Sequence, residues 1–116
     1  MEQLVKETME SCREYIPKLI ETVSKIALYI QGGNEATGIR LIPPVFEGLL
    51  WVIDAVQGIQ RHGFLEEIDL PDIIRHLKDL EHALEIRDHV LIADLFEYEI
   101  GPALEIWLEK IEQCQP

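Results

Sequence analysis

Four histidines, His62, His76, His82 and His89, stand among 22 acidic residues in a chain of 116, which is raw material for a metal centre or for acid–base chemistry. Carboxylate-bridged di-metal bundles place Glu and Glu-x-x-His ligands on inward helix faces, with one such step on each of two helices. Here only Asp79-x-x-His82 has the three-residue step. It uses Asp, lies off the apolar face of its segment and has no second copy. The histidines therefore read as surface or helix-capping residues, and no metal or other cofactor is expected. Cys12 and Cys114 fit no metal spacing, and neither has a histidine nearby in sequence, so both read as free thiols. Gly32-Gly33 is a helix stop rather than a phosphate loop, and no G-x-S-x-G elbow occurs.

One polar cluster remains, Asp94, Glu97, Tyr98 and Glu99. Glu99 follows Leu95 by four residues and precedes Ala103 by four, so it borders an apolar stripe, where burial raises a carboxylate pKa. Two readings are open. In one, Glu99 is a border carboxylate paired with a base on a neighbouring helix, with Arg13 and Arg40 as partners. In the other it faces the core with no basic neighbour and works with Tyr98 as an acid or base. Catalysis needs a partner group and a pocket, and the sequence displays neither.

The elements that must position these residues are helical. Hydrophobic content of 47% with 28% charged residues is that of a globular domain, and a chain of this length folds as one domain, 1–116, with a core that needs no staples. A formal charge of -12 repels phosphate backbones, and no stretch gathers Lys or Arg, so neither nucleic acid nor an anionic membrane is an expected partner. The opening Met-Glu-Gln-Leu-Val-Lys-Glu lacks the basic then apolar order of a signal peptide, and no apolar run is long enough to span a bilayer; the expected setting is cytoplasmic.

The stretch from Asp88 to Trp107 reads as the helix around which the others pack. Ile92, Phe96, Ile100, Ala103 and Trp107 recur at helical steps, flanked by Leu95, Leu104 and Ile111. Pro102 after Gly101 predicts a kink near Tyr98. The first segment keeps helical spacing from Leu4 to Ile30, but Pro17 removes a donor and crowds the carbonyl of Arg13, which predicts a kink or a restart and leaves 2–15 as an arm. Pro43-Pro44 divides the second segment into helices at about 35–41 and 44–62, with Gly63 as its stop. Asp69 and Asp88 cap helices at 70–86 and 89–113. Gly48 and Gly58 lie inside the second segment, where each costs roughly 1 kcal/mol against Ala unless helices approach closely there.

Sliding the chain by 54 residues superposes Ile16 on Leu70, Val23 on Leu77, Ile30 on Leu84 and cap Asn34 on cap Asp88. A further shift of four residues aligns Pro44 with Pro102. The expected fold is therefore all-α, an antiparallel four-helix bundle of two similar helical hairpins, 15–62 and 69–114, preceded by the Pro-kinked arm.

The run Ala83-Leu84-Glu85-Ile86-Arg87-Asp88, then Leu91 to Leu95 and the late Trp107, resembles small bacterial helical-bundle proteins of unassigned function. Over about the last third it also resembles the flagellar export chaperones, although their amino-terminal motif is not evident in Met1 to Arg13. The resemblance implies a module that holds a partner's helix in an apolar groove. Three functional classes follow: a non-enzymatic interaction module, a small-molecule bundle with a cavity near Trp51, Phe96 and Trp107, or an enzyme using Glu99 or Tyr98. Trp51 itself reads as a boundary side chain or an exposed anchor. Leu4, Val5, Met9 and Cys12 on the arm form a strip expected to face solvent, which a second copy related by a two-fold axis would cover. Trp107→Ala is expected to cost about 3–5 kcal/mol if the ring is central to the core; chemical denaturation measures it, and a loss below about 1 kcal/mol would place the ring at the surface.

Overall fold

A computed structural model describes residues 2–114; Met1, Gln115 and Pro116, which the single-domain reading includes, lie outside the described residues. The protein is all-helical, with no strand among the described residues. Helix α1 spans Gln3–Gln31, α2 Glu35–Arg40, α3 Ile42–Gln60, α4 Leu70–Glu85 and α5 His89–Asp94; a π-helical turn, Leu95–Ile100, leads into α6, Gly101–Gln113.

Helix α1 runs through Pro17 without interruption, so residues 3–15 are not a separate arm. Its buried residues include Val5, Met9, Cys12, Ile16, Leu19, Val23, Ile26 and Ile30, at alternating steps of four and three. Pro17 lies off this stripe, in solvent, so packing on both sides of the proline keeps the chain helical through the lost bond. At ~1.5 Å per residue the helix accounts for nearly the whole 46 Å long axis of the molecule. It packs against α2 and α3 on one side and against α5, the π turn and α6 on the other, while α4 packs on α5 and the π turn. The central element is thus α1, not the segment from Asp88 to Trp107.

Contacts of α1 with α2, α3 and the turn after it run in reverse order. A Cβ on Gly38 would touch Ile30 and the Ile26 carbonyl at 2.9 and 3.1 Å, one on Gly48 would run into the Tyr15 hydroxyl and Leu19, and Glu2 lies 3.4 Å from His62. Contacts with the π turn, α6 and the residue after it run the same way. Gln31 donates to Glu97, Val23 lies beside Gly101, and the Arg13 guanidinium donates to the carbonyls of Ile111 (3.4 Å) and Cys114 (3.2 Å).

Loop and cap chemistry follows the sequence closely. Gly63 takes a positive φ of 84° and the Phe64 amide reaches back to the Ile59 carbonyl. The carboxylates of Asp69 and Asp88 accept from the amides of Asp72 and Leu91. Asn34 stands at the start of α2, but its side chain makes no cap bond; its own amide donates to the Tyr29 carbonyl and Gly33 supplies the positive φ, so the backbone closes this turn. Gln60 pins the 61–69 loop, donating to the carbonyls of Leu65 and Ile68 at 2.9 Å each, and both residues join the core.

The strip expected to face solvent on the first turns is largely absent. Val5, Met9 and Cys12 are buried within the chain's own core, and only Leu4 is exposed. The last turns of α3 lie beside them, and Leu65 and Ile68 extend the same core.

Pro102 is accommodated by the π turn rather than by a simple kink. The Gly101 amide bonds to the Phe96 carbonyl, five residues back, and the inserted residue shifts the phase downstream. The buried stripe therefore passes through Ile100, Leu104, Trp107 and Ile111, and Ala103 falls to its edge.

The two helical glycines separate on these contacts. A Cβ at Gly48 would have to displace the Tyr15 and Leu19 side chains packed over it, whereas nothing lies within 4 Å of a Cβ at Gly58. Gly58→Ala should gain up to about 1 kcal/mol of stability, while Gly48→Ala should lose about 1–2 kcal/mol as overpacking outweighs propensity. Urea unfolding of the two variants checks this, and the reverse order would refute the packing of Tyr15 and Leu19 over Gly48.

Candidate functional site

The residues singled out from the sequence are scattered. Phe96 and Trp107 are buried, Trp51 is half-exposed, and each borders a different depression. The expected cavity joining them is not formed, because helical phase turns Trp51 outward, where it meets the Tyr15 ring edge-on at 5.6 Å. Tyr98 is exposed and Leu4 borders a shallow cleft against the end of α3.

Glu99 is half-exposed, and its partner is neither Arg13 nor Arg40. His76 Nε2 lies 3.3 Å from it and 3.6 Å from Asp72. His76 was read as a surface or capping residue, yet its side chain is only 14% exposed and its Nδ1 is buried without a hydrogen-bond partner among the described residues. The i, i+4 step from Asp72 to His76 is the sequence signal for this pairing; its link to Glu99 depends on how α4 crosses the π turn. His62 pairs with Glu2 at 3.4 Å and His89 with Glu35 at 2.8 Å. No group of three or more His, Cys, Asp or Glu suited to a metal ion occurs among the described residues.

The feature that the sequence did not disclose is a groove between α1 and the π turn with α6. It encloses about 210 Å³. Its floor is Val23, Ala27 and Phe96, and Leu28 stands at its lip, 64% exposed. Gly101 and Pro102 line the far wall, where the absence of a side chain at Gly101 opens the space toward Val23. Gln31, donating to Glu97, bridges the walls at one end. Past that bridge a second depression continues over Ile30, Ala93 and Val90, the last 73% exposed. Neither Leu28 nor Val90 stood out in the sequence, because the groove arises only from where the two walls meet.

The family model for a domain of unknown function (DUF8042) matches residues 7–110. The chain belongs to this family. That match is consistent with the expectation of an unassigned function and carries no link to the flagellar export chaperones. No curated protein and no solved structure matches the chain. No helix among the described residues is long and apolar enough to cross a membrane. For a DUF8042 domain, then, the uncovered groove is the feature on which a functional reading turns.

Both cysteines are free, with Cys12 buried and Cys114 half-buried. Burial pushes the Cys12 thiol up from 9.0 to about 11, with the Arg13 charge opposing. Because the folded value lies above the unfolded one, the stability it contributes is full below pH 9 and is lost as pH rises through 11, a loss on the order of 2 kcal/mol. Urea unfolding of the protein and of Cys12→Ala between pH 8 and 11 checks this. Equal pH dependence in the two would contradict a buried neutral thiol.

Proposed function

We propose that this DUF8042 domain is a non-enzymatic protein-interaction module, an adaptor or export-chaperone-like holder that binds a helix of a partner protein. The scaffold proposed for it is an antiparallel four-helix bundle of two like hairpins, 15–62 and 69–114. The reversed contact order of α1 with α3 and with α6 supports the bundle. The repeat is supported by α2 and α5, Glu35–Arg40 and His89–Asp94, whose bounds differ by the same 54 residues as the apolar pattern. Their first residues, Glu35 and His89, touch each other.

The observation that carries the functional reading is the groove with an apolar floor and two exposed aliphatic residues, Leu28 and Val90, along its length. Such residues gain the most from a partner, since covering a full aliphatic side chain contributes roughly 1.5–3 kcal/mol, and a cleft between two helices suits the apolar face of a third. A non-enzymatic role is supported by Glu99, which is half-exposed and engaged by His76 rather than isolated in a pocket.

A photo-crosslinking amino acid at position 28 or 90, expressed in the native host, is expected to trap one discrete protein, and the same probe at Lys78 on the exposed face of α4 is expected to trap none. Equal trapping at all three positions, or none at any, would contradict the reading.

A further inference from the structure

We infer that the occupant of the groove is a basic amphipathic helix of another protein, with an apolar anchor seated over Val23, Ala27 and Phe96 and Lys or Arg along the edge that meets α5 and α6. This deepens the interaction reading above and rests on it.

The argument is one of charge. The wall on the α5–α6 side carries Asp94, Glu97 and Glu105, and no Lys or Arg lines the groove or its continuation. Glu97 accepts the Gln31 amide, which leaves its charge uncompensated. Asp94 and Glu105 have no hydrogen-bond or ion-pair partner among the described residues. The one base at the site, His89, is engaged by Glu35 at 2.8 Å. Lys25, on α1, pairs with Glu21.

An apolar face laid over the floor strips water from these carboxylates, and desolvating an unpaired charge is costly. A neutral or acidic occupant bears that cost in full. One with Lys or Arg at its edge replaces the lost hydration with ion pairs and gains in association rate from the field of a chain of charge -12. A second copy of this chain does not meet the requirement: α6, for example, offers Lys110 against Glu105, Glu109 and Glu112. An anionic bilayer is repelled outright.

The dimensions suit a helix. The α1 wall from Ile20 to Gln31 is about 16 Å long at ~1.5 Å per residue, three turns of an occupant lying alongside. The volume of about 210 Å³ exceeds the ~150 Å³ cavity that takes up benzene, enough for one large aliphatic or aromatic anchor.

Three labelled 18-residue helical peptides of identical Leu spacing, with Lys, Gln or Glu at the flanking positions, test this by fluorescence anisotropy against the full chain. The Lys peptide is expected to bind at least tenfold more tightly than the Gln peptide at low salt, and to weaken severalfold on raising NaCl to physiological strength and beyond. Asp94→Lys with Glu105→Lys should reverse the preference toward the Glu peptide. Ser24→Phe, which fills the groove from an exposed position without changing charge, should weaken every peptide at least tenfold. Circular dichroism and thermal unfolding establish that each variant is folded.

If Lys and Gln peptides bind equally and both are lost with Ser24→Phe, the basic partner is refuted while the helix-holding function stands. Lys-peptide binding indifferent to Ser24→Phe refutes the groove as the site. No binding by any peptide overturns both. Concentration-dependent self-association of the full chain, abolished by Ser24→Phe, makes a second copy the occupant and overturns the inference.

Discussion

The burial of one stripe of α1 holds this fold together. Val5, Met9, Cys12, Ile16, Leu19, Val23, Ile26 and Ile30 follow one another at alternating steps of four and three, the spacing that keeps a seam of side chains on one line along a helix. That line runs the length of the molecule. It lets a single helix meet α3 on one flank and α5, the π turn and α6 on the other. It also explains why Pro17 does not break the helix: Ile16 and Leu19 are locked in the core on either side of it, and tertiary packing, rather than local propensity, decides the outcome.

The second constraint lies at Gly101-Pro102. Without an N–H at Pro102 the helix cannot make the ordinary bond to Tyr98 there, and the chain answers by widening one turn, so that the Gly101 amide reaches Phe96. The extra residue has two effects. It moves Leu104 into the core in place of Ala103, and it sets Phe96 and Gly101 as floor and wall of the groove against α1. The element that resolves a backbone problem thus also shapes the surface proposed to take a partner.

Much of this was legible from the sequence, and for physical reasons. Helical periodicity reported the stripe on α1, and side-chain caps at Asp69 and Asp88 and the glycine stop at Gly63 act within a few residues of themselves, so local spacing reveals them. Pro17 misleads, because its cost is local while its compensation comes from distant turns. The first turns of α1 mislead for a related reason: the end of α3 lies beside Val5, and Leu65 and Ile68 of the following loop join the same core, which sequence proximity does not announce. Likewise the groove has no motif. Val23 and Ala27 on α1 and Asp94, Glu97 and Glu105 opposite them become walls of one groove only when the two helices are placed side by side.

Native-state hydrogen exchange along α1 tests the central claim most directly. If the stripe makes α1 one cooperative unit, amides on both sides of Pro17, from about residue 8 to residue 30, exchange only through global unfolding and share its free energy and its denaturant dependence. Amides in residues 8–15 that open with a smaller free energy than those in 20–30, at little denaturant dependence, would show a separable arm and contradict the account.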